Sequence, residues 1–126
     1  MPCDYHINAD AGLVTITGSD ETTATQIVEL GERLLADPEF DSKLAQLMDL
    51  RGLTMAFHKD DSERVHDYSV NIYSPQVEAN IAIIMDGDQD SKSIASMFRL
   101  ACAMQKTELF DNYNQALKWL MRREFA

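Results

Sequence analysis

Two hydrophobic periods alternate along this chain, and the points where one gives way to the other mark out its elements. Tyr5–Ile7 and Leu13–Thr17 flank the polar stretch Asn8-Ala9-Asp10-Ala11-Gly12, and the second run is rich in β-branched residues. That pattern predicts a β-hairpin. Ala24, Ile27, Gly31, Leu34 and Leu35 then recur at helical spacing, with Ser19 or Asp20 as the expected N-cap. Asp37-Pro38 ends that helix, because proline disfavours helical backbone at the residue before it.

The run from Leu44 to Leu50 is mostly apolar and short, which predicts a strand buried on both faces. A second helix follows from Lys59-Asp60-Asp61-Ser62, with Asp60 and Glu63 at capping-box spacing. Val65, Tyr68, Ser69 and Ile72 form its expected inward stripe, and Pro75 its stop. Asn80 through Met85 reads as another buried strand, broken by Asp86-Gly87-Asp88. A third helix runs from Ser91 with Ile94, Met97, Phe98, Ala101 and Met104 inward. Thr107–Phe110 then leads to Asn112, an N-cap with Gln115 three residues on, and to a last helix carrying Ala116, Leu117, Trp119 and Leu120. The order β-β-α-β-α-β-α-β-α defines an α/β fold with one mixed sheet, mainly parallel in its centre, whose parallel strands are joined by right-handed crossovers.

Composition narrows the partners. The 126 residues suffice for one domain, and 45% hydrophobic content suffices for its core. Net charge is −10, and the basic residues are scattered, with only Arg122-Arg123 adjacent. Nucleic acid and anionic membranes require a concentrated positive field, so neither is an expected partner. The N-terminus has no cationic n-region or apolar h-region, and the longest apolar run, Ile81–Met85, is five residues. Membrane insertion is therefore not expected, and the expected location is the cytoplasm. Cys3 and Cys102 lie far apart, in no CxxC pair, as two free thiols do in a reducing compartment.

Three stretches carry a family resemblance. Leu34-Leu35-Ala36-Asp37-Pro38-Glu39-Phe40 is followed by a strand ending Met48-Asp49-Leu50-Arg51-Gly52-Leu53-Thr54. Near the end, Phe110 precedes a helix with the pattern Ala-x-x-Trp-Leu at Ala116, Trp119 and Leu120. Together they resemble the uncharacterised bacterial SpoIIAA-like (STAS/SEC14-type) family. The resemblance implies the fold, while relatives range from anti-sigma-factor antagonists to lipid-carrying domains, so it implies no single activity. The antagonists carry a regulatory Asp-Ser pair where a helix begins after this buried strand, and Asp61-Ser62 is the pair nearest that place. Their small Ser-Gly continuation is replaced here by Glu63-Arg64.

Several side-chain groups carry candidate chemistry. A phosphate on Ser62 would lie near a helix N-terminus but beside Asp60, Asp61 and Glu63, so such a switch would act by repelling a partner; the plain alternative is a serine that begins a helix. Arg51, His58, Asp61, Ser62 and Asp86 together form the expected partner-binding rim at the strand ends. His58, Asp60, Asp61, Glu63 and His66 have zinc-ligand chemistry without a recognised spacing, and a solvated helix start explains them better. Asp86-Gly87-Asp88-Gln89-Asp90 begins like a calcium loop, but Ser91 stands where glycine is needed and Met97 where glutamate is needed. No metal and no cofactor is therefore expected. There is no G-x-S-x-G elbow and no glycine-rich phosphate loop, and Cys3 with His6 lies at a terminus, so the chain is not expected to be an enzyme.

The expected role is a regulatory or protein-interaction module with an unidentified protein partner. Met48, Met85, Met97, Met104, Phe57, Phe98 and Tyr73 supply a soft apolar inventory, and the alternative role is a small binding protein for an apolar or lipid-like ligand. Trp119, Met121 and Phe125 cannot all face inward from one short helix that buries Ala116, Leu117 and Leu120, so a homodimer is expected to cover the surplus.

Overall fold

The computed structural model describes residues 3–87, 89–101 and 106–121. Strands β1 (Cys3–Asn8) and β2 (Leu13–Gly18) form the expected antiparallel hairpin. Its turn closes through the Ala11 N–H to Asn8 Oδ1 at 3.1 Å, with Gly12 at φ +69, a conformation that glycine adopts without cost. Helix α1 spans Ala24–Ala36, α2 Asp61–Tyr68, α3 Gln89–Ala101 and α4 Tyr113–Met121. Strands β4 (Ala45–Asp49), β6 (Ile81–Ile84) and β7 (Thr107–Phe110) complete a five-stranded sheet in the order β1-β2-β4-β6-β7, parallel from β2 onward. Two short strands that the apolar pattern did not announce, β3 (Asp20–Thr22) and β5 (Leu53–Met55), pair in parallel as a separate ribbon.

Period-2 alternation divides the sheet between two cores. On one face Val14, Ile16, Met48, Ile81 and Ile83 pack with Leu30 and Leu34 of α1, Ile94 and Ala95 of α3, and Tyr73 and Val77. On the other, Leu13, Leu47, Ala82 and Ile84 pack with Ala116 and Leu120 of α4, and Leu117 and Trp119 of the same helix lie against them. The three crossovers step the same way across the sheet, from β2 to β4 to β6 to β7, and right-handed connections of that kind place their helices on one face.

Three helix ends differ from expectation. The α1 cap is Thr23, not Ser19 or Asp20: its Oγ1 accepts from the Gln26 N–H at 3.1 Å, and Gln26 Oε1 accepts from the Thr23 N–H at 2.9 Å. Asp20 instead stands in β3, with its N–H on the Gly52 carbonyl at 3.1 Å. At α2 the cap position is Asp60, but at φ 73 it makes no side-chain cap bond, so the Asp60–Glu63 capping box does not form. Beyond α2 the chain makes a π-helical turn over Ser69–Tyr73 and a 3-10 turn over Ser74–Gln76, so Pro75 lies within the continuation rather than stopping it. The wider π turn rotates Ile72 outward, 49% exposed, and brings Tyr73 into the core at 6%. At the other end of the chain the expected cap holds, with the Gln115 N–H on Asn112 Oδ1 at 3.0 Å. Cys102, Met104, Arg122, Arg123 and Phe125 lie outside the described residues.

Candidate functional site

β4 and β6 are parallel neighbours with Asp49 opposite Ile84, so Asp49 and Asp86 stand at the same, carboxyl edge of the sheet. Arg51 folds back on Asp49 two residues earlier. Its Nε meets Oδ1 at 2.9 Å and its Nη2 meets Oδ2 at 2.7 Å, while the Arg51 N–H also reaches Oδ1 at 3.2 Å. Burial pushes the Asp49 carboxyl up, but hydrogen bonds from the Arg51 side chain and backbone, with its charge, outweigh burial and hold it below its ordinary value. Hydrogen bonding to Asp49 raises Arg51 in turn, aided by that carboxylate's charge. Asp86 accepts the Gly52 N–H at 2.8 Å, tying the loop after β6 to the turn after β4.

The start of α2 forms a second group. Asp61 Oδ2 accepts the His58 N–H at 2.7 Å, and the Asp61 N–H returns to the His58 carbonyl at 3.1 Å, closing a tight loop over residues 58–61. His58 and Ser62 are exposed and Asp61 half-buried. Ser62 is the second residue of the helix, behind the cap position. Arg64 Nη1 donates to Thr25 Oγ1 at 3.0 Å, which seats this end of α2 beside the N-terminal end of α1. These hydrogen bonds tie Asp86 to Gly52, the residue after Arg51, and tie His58 to Asp61, which Ser62 follows in the chain.

The rim lacks one feature that open α/β sheets use to bind small ligands. Their crevice forms where two neighbouring strands send their crossovers in opposite directions. Here the strands from β2 to β7 follow one another in one direction, so the carboxyl edge has no such reversal. Among the described residues no group of three or more His, Cys, Asp or Glu side chains is placed to hold a metal ion. No described helix is long and apolar enough to cross a membrane.

An apolar cavity of about 50 Å3 lies between the larger core face and helices α1, α2 and α3, lined among others by Ile16, Leu30, Met48, Leu53 and Phe98. Tyr68 points its hydroxyl into this region against Gly31, where an added Cβ would stand 2.7 Å from the oxygen. That hydroxyl is buried and has no hydrogen-bond partner among the described residues, and burial raises its pKa, with the charge of Glu32 adding to the effect. Sequence spacing placed Tyr68 inward but could not announce its orphaned oxygen, which depends on what α1 presents opposite it. Trp119 is half-buried, its ring 5.6 Å from that of Phe110, so part of the apolar surplus expected on α4 packs within the chain.

No protein-family profile matches the chain, and no curated protein matches it. A solved structure does: an uncharacterised protein of the DUF3478 family with a SpoIIAA-like fold, from Shewanella loihica. It is 17% identical, with a TM-score of 0.55, over 94% of this chain and 91% of that one. The fold is therefore SpoIIAA-like, as the three sequence stretches implied. Identity at that level speaks for the fold alone.

Proposed function

We propose that this chain is a non-catalytic, cytoplasmic regulatory or protein-interaction module whose partner reads the rim formed by Arg51, His58, Asp61, Ser62 and Asp86. The observation that carries this reading is the size of the interior cavity. Sites for small molecules occupy roughly 300–1,000 Å3. About 50 Å3 is far less, which argues against a ligand held inside the core and supports recognition at the polar surface. Ser62 is exposed in the first turn of α2, beside Asp60, Asp61 and Glu63. A phosphate there adds ~−2 to an acidic patch and releases a partner by repulsion.

Affinity capture with Ser62 variants tests the reading. Ser62→Asp is expected to weaken capture and Ser62→Ala to preserve it, both with nearly unchanged melting temperature, because Ser62 lies behind the cap position. Capture of the same proteins by both variants as by the wild type, with no phosphate found on Ser62 in cells, overturns it.

One observation favours the alternative of an apolar or lipid-like ligand: the unpartnered Tyr68 hydroxyl beside an apolar cavity, a group that a ligand oxygen would satisfy. Native mass spectrometry separates the two readings, since a co-purified small molecule supports the binder. Self-association through the outer side of α4 belongs to the same proposal, and a monomer in sedimentation at high micromolar concentration removes it.

A further inference from the structure

The sheet ends on one side at β1, six residues long, and among the described residues no strand pairs with its outer edge. Such an edge offers a row of backbone N–H and C=O groups to another chain unless something covers it; on β1 the Tyr5 N–H already donates to Asp4 Oδ1 at 2.8 Å, a contact that an incoming strand has to displace. Here the space beside it is open. A polar groove of about 360 Å3 runs between β1 and the C-terminal end of α1, lined by Asp4, Tyr5, Ile7, Arg33, Asp37 and Glu39 among others.

The groove is held in shape by its own contacts. Tyr5 donates its hydroxyl to Asp37 Oδ2 at 2.7 Å, and the Glu39 N–H reaches Asp37 Oδ1 at 2.9 Å. The Arg33 guanidinium lies 5.5 Å from the centre of the Tyr5 ring and 3.8 Å from Asp4. The Glu39 N–H, and then the Tyr5 hydroxyl, hold the Asp37 carboxyl below its ordinary value, so it is charged at neutral pH. Asp4, Asp37 and Glu39 thus face Arg33 alone among the charged Lys and Arg side chains of the lining, and Arg33 is already engaged by Asp4.

We propose that this groove docks an extended, basic segment of another protein, which joins the main sheet beside β1 and sets Lys or Arg against Asp37 and Glu39. Pairing with the β1 backbone gives sequence-independent affinity. Every second partner side chain falls on the face of Tyr5 and Ile7, where charge is read. Charge also decides against a second copy of this chain. Each copy carries −10 and would bring its own Asp4 and acidic groove onto the first, and like charges facing across strands destabilise the pairing. The inference rests on the interaction-module reading but concerns a different surface. The start of α2 lies by the N-terminal end of α1 and the groove by its C-terminal end, so Ser62 variants and groove variants report separately.

The test titrates the isotope-labelled full chain with three synthetic peptides of about ten residues, long enough to pair along one strand. One alternates Lys and Val, one alternates Glu and Val, and the third is the Lys-Val peptide N-methylated at every second residue. The Lys-Val peptide is expected to shift and protect the amides of Cys3–Asn8 at micromolar concentration, and the other two to leave them unchanged. Glu39→Lys, at an exposed position outside every helix and strand, is expected to weaken binding by about tenfold or more. Equal binding of the N-methylated peptide, shifts away from β1 and the end of α1, or no binding at all overturns the proposal. So does protection of β1 without peptide in a dimer seen by sedimentation, which places a second copy on the edge.

Discussion

The carboxylate of Asp86 accepts the backbone N–H of Gly52 at 2.8 Å, and Gly52 stands at φ +79. One side chain from the loop after β6 thus holds a left-handed turn after β4. Nothing lies within 4 Å of a Cβ built on Gly52, so Gly52→Ala is strained by backbone conformation and not by contact. It is expected to cost about 1 kcal/mol. Asp86→Ala is expected to cost about 1–2 kcal/mol, and Asp86→Asn less, because an amide oxygen still accepts the bond. Urea denaturation of the three variants checks the order.

Asp49 makes stability depend on pH. Its folded pKa is depressed below its ordinary 3.8, so its contribution is fully present above that value and is lost as pH falls through the lower folded one. Asp49→Asn is expected to be less stable than wild type at pH 7, with the gap closing as pH falls below about 4. Arg51 is 44% exposed in its side chain, so Arg51→Ala is expected to cost no more than about 1 kcal/mol. A gap that stays constant from pH 7 to pH 3 argues against Asp49 as the origin.

Gly31 and Tyr68 form a tight pair across α1 and α2. A Cβ at Gly31 would lie 2.7 Å from the Tyr68 hydroxyl and 2.8 Å from Cε2. Gly31→Ala is expected to destabilise by about 1–3 kcal/mol despite alanine's better helix propensity. Tyr68→Phe alone is expected to be neutral or stabilising, because it removes a buried hydroxyl without a partner among the described residues. A Tyr68→Phe loss of several kcal/mol in thermal melts would reveal a partner for that oxygen.

Thr23 and Asp60 occupy the same formal position on two helices and do different things. Thr23→Ala removes the hydroxyl that accepts the Gln26 N–H, one of the two bonds of the α1 capping box, and is expected to cost about 1 kcal/mol. Asp60 makes no side-chain cap bond and sits at φ 73, so Asp60→Gly is expected to stabilise by up to about 1 kcal/mol. Chemical denaturation that ranks the two variants in the opposite order contradicts the capping assignment.

The sequence by itself determined the elements whose stabilising contacts are local or whose apolar period is long. The β1–β2 hairpin, the buried strands at Met48 and Ile83, the Asn112 cap and the stop at Asp37-Pro38 were all legible. So was the placing of Asp49 and Asp86 on one edge, since both follow buried parallel strands. The Thr23 cap was missed: Thr-x-x-Gln carries its signal, but Ser19 and Asp20 offer equally good local chemistry and were the expected caps. Only the Gly52 carbonyl, which takes the Asp20 N–H, decided between them. Tertiary structure alone decided the rest. β3 and β5 are three residues each, too short for a period, and exist because each satisfies the other's backbone. The π turn after α2 exists where Tyr73, not Ile72, bonds Gln46 in the core, and helical spacing has no means of announcing one added residue. The tie of Asp86 to Gly52 and the open groove beside β1 depend on which elements meet across the sheet. Period reveals which face a side chain takes, while the neighbour it meets there is set by strand order and by the direction of the crossovers.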